Sequence, residues 1–165
     1  MRQIGVIGTH FNPTPRSLEE AEKLGKLLAR KGFVIVCGGL GGVMEAVCRG
    51  AKSEGGTTIG VLPGKDIAEA NPFVDYRIAT GLEWARNQVV VLSCDAIVML
   101  GGEAGTLSEL CVGWIYKKPI IAIKGTGGYS DVFAGKPVDG KRADVIMEAK
   151  NAEEAVALLS RILGE

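Results

Sequence analysis

The sequence lacks several features that mark common functional classes. Its 165 residues carry 19 lysines and arginines against 19 aspartates and glutamates, so it has no excess positive charge for binding long nucleic acid or an anionic membrane. No apolar run approaches the length of a membrane span, and the first residues do not form the apolar stretch of a signal peptide. These absences predict a cytoplasmic protein of one domain, 1–165, with neither a membrane nor long nucleic acid as its partner.

Metal and redox motifs are also missing. The chain has one histidine, and its cysteines stand in apolar surroundings with no CxxC spacing. We therefore expect no metal site and no cofactor, and we expect free, buried thiols in a reducing compartment. The cysteines are Cys37, Cys48, Cys94 and Cys111.

Glycine is the residue in excess, with 24 copies, and many of these are expected in tight turns or beside a ligand. Short β-branched apolar runs alternate along the chain with helical patterns. Strands that are apolar throughout are typical of a parallel sheet covered on both faces. The pattern predicts an α/β fold, a Rossmann-like doubly wound and mainly parallel sheet of about six to seven strands flanked by helices.

Three glycine clusters, at 8, 38–42 and 101–105, each follow a predicted strand. Ligands in such sheets bind at the carboxyl ends of the strands, so these clusters are predicted to converge on one binding edge, with plain tight turns as the alternative. Met44 stands where a dinucleotide fingerprint has its third glycine, which argues against classical NAD binding. The ligand-binding candidates of the first two clusters are Gly8, Thr9, Gly38, Gly39, Gly41, Gly42 and Met44.

The third cluster, GGEAGTLSEL (101–110), places three glycines where a strand turns into a helix. Amides at a helix start bind phosphate, and the candidates are Gly101, Gly102, Gly105 and Thr106. Thr106 and Glu109 also have the spacing of a capping box. The residues alone leave open whether Glu109 caps the helix or acts on a ligand, and whether His10 fills a loop or contacts that ligand.

These motifs resemble those of a known superfamily. GGEAGTLSE (101–109) resembles the PGGxGTxxE motif of the LONELY GUY and "possible lysine decarboxylase" proteins, and CGGLGGVMEA (37–46) resembles their GGGxxGxM loop. TGLEWARN (80–87) resembles their arginine-bearing helix. The chain length and NPFVDYRIATGL (71–82) are similar to a branch near the molybdenum cofactor carrier proteins and the DprA-related conserved proteins.

The resemblance implies a phosphorylated nucleotide-like small molecule as the partner and the GGxGT loop as its phosphate site. It also implies hydrolysis of the N-glycosidic bond of a nucleoside 5′-monophosphate, with Arg86 and Glu109 as the catalytic pair. Two departures, Leu100 for the motif's proline and Asn87 for the enzymes' lysine, favour the alternative of a non-catalytic carrier for molybdenum cofactor or a related phosphorylated pterin or nucleotide.

Whether the chain is an enzyme stays open at this point, but pyridoxal-dependent lysine decarboxylation is not expected. That chemistry needs a cofactor-binding lysine, and the lysines here lie in polar helix faces or turns.

The helical patterns at 82–94 and 105–117 are apolar nearly all round. A helix that covers a sheet needs only one apolar face, so the surplus predicts contact between subunits. A homodimer or a larger homo-oligomer is therefore expected, and the resemblance implies the same.

Overall fold

The computed structural model describes residues 1–165, and its seven strands form one parallel sheet. The strands are β1 (Gln3–Gly8), β2 (Val34–Cys37), β3 (Thr58–Leu62), β4 (Tyr76–Ala79), β5 (Ala96–Leu100), β6 (Ile120–Ile123) and β7 (Met147–Ala149). Their order is β4-β3-β2-β1-β5-β6-β7, and every neighbouring pair is parallel. The predicted α/β fold is confirmed.

Six helices cover the two faces of the sheet. They are α1 (Pro15–Arg30), α2 (Val43–Ser53), α3 (Arg86–Leu92), α4 (Ala104–Ile115), α5 (Gly128–Phe133) and α6 (Ala152–Leu163). Helix α1 packs against α2 and α6 over one face, and α3 packs against α4 over the other. None of the helices combines the length and the apolar character needed to cross a membrane.

The five inner strands are largely buried because each face of the sheet supports its own core, whereas the edge strands β4 and β7 are more exposed. In β5, Val98 belongs to the core under α1, α2 and α6, whereas its neighbours Ile97 and Met99 belong to the core under α3 and α4. Successive side chains of a strand point to opposite faces, so both faces need apolar residues. The cysteine prediction also fits this packing, since Cys37, Cys48 and Cys94 are buried and all four thiols are free.

The strand order reverses beside β1. The chain moves outward from β1 through β2 and β3 to β4, and it then returns to place β5 on the other side of β1. The loops that follow β1, β2 and β5 therefore emerge side by side at one edge of the sheet. Such a reversal leaves a crevice between loops that diverge to opposite faces, which is where open α/β sheets bind ligands.

Candidate functional site

A cavity opens at this carboxyl edge, between the β1–α1 loop, the β2–α2 loop and the starts of α3 and α4. It brings together both predicted catalytic residues and three of the eight predicted glycines. The sequence-predicted residues on its wall are Gly8, Thr9, Gly38, Met44, Arg86, Gly105, Thr106 and Glu109. Residues far apart in the sequence meet here because parallel strands deliver all their following loops to the same edge.

Five predicted glycines do not line the cavity: Gly39, Gly41, Gly42, Gly101 and Gly102. The Gly101 N–H donates to Thr126 Oγ1 at 2.9 Å, and the Gly102 N–H donates to Thr9 Oγ1 at 2.7 Å. Both glycines have positive φ angles, 60° and 103°, which side chains disfavour. They shape the turn after β5, and their amides are already engaged within the protein.

The β1–α1 and β2–α2 loops pack directly on each other. A Cβ atom placed on Gly42 would lie 2.3 Å from the carbonyl oxygen of Thr9, so only glycine permits this approach. The His10 ring lies against Gly41 and lines the cavity, and its Nδ1 atom is buried without a hydrogen-bond partner. His10 is therefore part of the cavity wall.

The start of α4 presents unpaired backbone donors to the cavity. The helix begins at Ala104 with Glu103 as its N-cap residue, and no side chain caps it. The first amide that bonds into the helix is that of Leu107, which donates to the Glu103 carbonyl at 2.8 Å, so the N–H groups of residues 103–106 make no hydrogen bond within the protein. Gly105 and Thr106 lie on the cavity wall, where such donors and the helix dipole favour an anion.

Glu109 lies inside the cavity and does not cap α4. The helix starts two residues before Thr106, so the proposed Thr106–Glu109 capping box is wrong. The Glu109 side chain is buried, with 6% of its surface exposed, and it accepts no hydrogen bond from the protein. Burial raises the pKa of this carboxyl group from its ordinary value of 4.5 to about 8, although the positive charge of Arg86 opposes the shift.

Arg86 is the first residue of α3, and it is also buried. Its Nη1 atom donates to Asn87 Oδ1 and its Nη2 atom donates to the Gly38 carbonyl oxygen at 3.4 Å, while Nε has no partner. No carboxylate lies within ion-pair distance of the guanidinium. Burial lowers the pKa of Arg86, and the nearby Glu109 acts in the opposite direction. The cavity therefore holds a buried cation that forms no ion pair with a carboxylate of the protein.

Sequence reasoning missed several residues of this wall. Asn87 was treated only as a lost cation, yet it is buried and bonded to Arg86. Phe11 and Trp84 lie at the cavity although 69% and 76% of their surfaces are exposed. The signal available for Trp84 was its position two residues before Arg86 in TGLEWARN. The wall also includes Val6, Ile7, Leu40 and Glu103.

The chemical inventory of the wall is small. It contains one guanidinium, one imidazole, the buried carboxyl group of Glu109 and the exposed carboxylate of Glu103, but no lysine. No group of three or more histidine, cysteine, aspartate or glutamate side chains in the structure could hold a metal ion. The arrangement can bind an anion through amides and Arg86, and it can exchange a proton through Glu109.

Comparison with protein families and curated proteins gives consistent matches. A family model described as the SLOG cluster4 family matches residues 1–157. The chain is 43% identical over 125 residues to an uncharacterized protein of Archaeoglobus fulgidus, which covers 75% of this chain and 81% of that protein. It is 33% identical over 129 residues to the cytokinin riboside 5′-monophosphate phosphoribohydrolase of Mycobacterium tuberculosis, covering 71% of this chain and 67% of the relative.

Solved structures match over the whole fold. The molybdenum cofactor binding protein of Rippkaea orientalis superimposes with a TM-score of 0.88 at 36% identity, covering 98% of this chain and 97% of that one. The molybdenum cofactor carrier protein of Chlamydomonas reinhardtii superimposes with a TM-score of 0.86 at 34% identity, covering 100% of both chains.

Proposed function

The chain belongs to the SLOG cluster4 family, and we propose that it binds a phosphorylated nucleotide or nucleotide-like ligand at the carboxyl edge of its sheet. One observation carries this proposal. The free amides at the start of α4 share a cavity with Arg86, a buried cation that has no carboxylate partner. Amides and an arginine fork are the donors that proteins use for phosphate groups.

The ligand's phosphate would lie on the N–H groups of residues 103–106. The Thr106 hydroxyl stands beside these amides, and the charge of Arg86 would compensate the anion. This places the phosphate on residues 103–106, which directly follow Gly101 and Gly102. The amides of those two glycines bond to Thr126 and Thr9. Those two glycines would then support the phosphate site by fixing the turn that precedes it.

The reaction we propose for this site is hydrolysis of the N-glycosidic bond of a nucleoside 5′-monophosphate. The 33% identical relative from Mycobacterium tuberculosis is named as a phosphoribohydrolase of this kind. Cleavage of that bond develops positive charge on the sugar, transfers a proton to the leaving base and adds water to the sugar carbon. Glu109 suits the proton transfer, because its pKa of about 8 lies near the pH at which the protein would work.

Arg86 would have two effects in this reaction. It would hold the phosphate, and its charge would favour the ionised form of Glu109 once the proton has been transferred. Arg86 and Glu109 are the two residues that the family resemblance implies as the catalytic pair.

The second candidate is a carrier that binds its ligand without chemistry. It is favoured by the solved molybdenum cofactor binding and carrier proteins, which match this chain over almost its whole length. It is also favoured by Asn87 and Leu100, which depart from the enzyme motif. The same amides and Arg86 would then hold the phosphate of a pterin-type cofactor.

Incubation with a panel of nucleoside 5′-monophosphates separates the two candidates. The enzyme would release free base and ribose 5-phosphate, and Glu109→Gln would reduce the rate by about 10²–10⁴-fold. Saturable binding without release across the panel would favour the carrier. If AMP binds no better than adenosine, the phosphate site itself is rejected.

A further inference from the structure

Asn87 is buried at the junction of α3 and α4, with 4% of its surface exposed. Its Oδ1 atom accepts a hydrogen bond from Arg86 Nη1. Its Nδ2 atom donates to Ser108 Oγ at 3.0 Å and to the Gly105 carbonyl oxygen at 3.4 Å. One side chain thus joins the guanidinium to the first turns of α4.

The chemistry of its neighbours fixes the orientation of the Asn87 amide. The guanidinium of Arg86 can only donate, so it requires the oxygen of Asn87, and the Gly105 carbonyl can only accept, so it requires the nitrogen. The Ser108 hydroxyl donates to the Gly105 carbonyl at 2.6 Å and accepts from Asn87. In a flipped amide, Nδ2 would face the guanidinium donors and Oδ1 would face the Gly105 carbonyl oxygen. Only one orientation of the amide therefore satisfies these hydrogen bonds.

Arg86 has little else to hold it in place. Its only other hydrogen bond is the 3.4 Å contact with the Gly38 carbonyl, and its Nε atom has none. Asn87 is neutral, so it can orient the guanidinium without cancelling its charge. An aspartate at this position would form an ion pair with Arg86 and compete with a ligand's phosphate, and a lysine would repel it.

We propose that Asn87 is a positioning residue that aims Arg86 at the ligand's phosphate and ties it to the anion-binding start of α4. This inference rests on the proposed phosphate site and adds a specific task for Asn87. Asn87, the residue after the arginine, would orient the guanidinium, and Arg86 would supply the positive charge.

The test compares the affinities for AMP and adenosine, measured by titration calorimetry, since their ratio isolates the contribution of the phosphate. Asn87→Asp preserves the size of the side chain, and we expect it to weaken AMP binding by about tenfold or more while adenosine binding changes by less than about twofold. Asn87→Ala should weaken AMP binding less, because it frees Arg86 without neutralising it. Ser93→Ala is the matched control, since it removes a serine hydroxyl at the other end of α3, where that hydroxyl bonds to the Val89 carbonyl and not to Asn87 or Arg86.

A double-mutant cycle identifies the path of the effect. In an Arg86→Met background, Asn87→Ala should cause no further loss of AMP affinity, because no guanidinium remains to be positioned. Independent losses that multiply in the double variant would overturn the inference. So would an equal loss in Ser93→Ala, or an unchanged AMP-to-adenosine ratio in a folded Asn87→Asp or Asn87→Ala variant. A wild-type protein that does not prefer AMP to adenosine rejects the proposed phosphate site, whereas a wild-type preference that survives in the variants rejects only the task of Asn87.

Discussion

Glu109 occupies a buried position in a cavity that also contains a buried arginine. Its spacing from Thr106 suggested a capping box, and the residues alone could not decide between a cap and a ligand-directed group. The start of α4 depends on the turn before it, which hydroxyls from residues 9 and 126 hold through Gly102 and Gly101. Those contacts are distant in the sequence, so local spacing could not reveal them.

The raised pKa of Glu109 has a consequence for stability. Its folded pKa of about 8 exceeds its ordinary value of 4.5, so the folded protein binds the extra proton between these pH values. Stability from this group is fully present below about pH 4.5 and is lost as the pH rises through 8. We expect the free energy of unfolding to fall by up to about 1.4 kcal/mol per pH unit in this window.

Urea unfolding of wild type and Glu109→Gln between pH 5.5 and 8.5 checks this expectation. The variant has no proton to lose at this site, so its stability should depend less on pH than that of the wild type. The difference between the two slopes cancels the other titrating groups. Parallel slopes would mean that Glu109 ionises normally in the folded protein.

Helix α3 shows how a local conformation can interrupt a helical pattern. The sequence predicted one helix over 82–94, but the structure contains a 3-10 turn at Glu83–Ala85 followed by α3 at Arg86–Leu92. Glu83 has a positive φ of 49°, which a continuous α-helix does not allow. The α-helix begins at Arg86, which therefore lies at the start of α3 beside the cavity and is not in the middle of a longer helix.

The packing of α1 on α2 gives a prediction about a helical glycine. A Cβ atom added to Gly50 would lie 2.0 Å from the Glu22 carbonyl oxygen, so the two helices touch through their backbones. Alanine is normally the better helix former by about 1 kcal/mol. Here Gly50→Ala should instead destabilise the protein by about 1–3 kcal/mol, because the helices must separate.

Denaturant unfolding measures this loss, and Gly140→Ala provides the control. Nothing lies within 4 Å of a Cβ atom added to Gly140, so that change should stay within about 0.5 kcal/mol of wild type. A Gly50→Ala protein as stable as the control would show that α1 and α2 can move apart without cost.

For the molecule as a whole, the sequence sufficed for the fold class and the family resemblance, both of which are confirmed. Strand periodicity and glycine spacing are signals within short stretches of sequence, so they can be detected before the arrangement of the strands is known. The sequence could not show which glycines line the cavity and which only shape the turn before α4. In the structure, Gly105 lines the cavity and Gly101 does not. Asn87 was undervalued for a similar reason, since its partner Ser108 lies on another helix.

The assembly of the molecule remains a prediction, and the surface around α3 and α4 supports it. Leu82, Trp84, Ile115 and Tyr116 are exposed there, Ile115 with 69% of its surface, although α3 and α4 pack on each other over a complete core. A second copy of the chain on this surface would bury these side chains, and through Trp84 it would also cover part of the cavity wall.

We therefore expect the wild type to be a dimer or larger in size-exclusion chromatography with light scattering, and Ile115→Glu to dissociate it. Val132→Glu, at an exposed apolar residue of α5, should leave the assembly intact. A wild-type protein that stays monomeric at high concentration would contradict the expectation, and the cavity would then have to work with the residues of one chain.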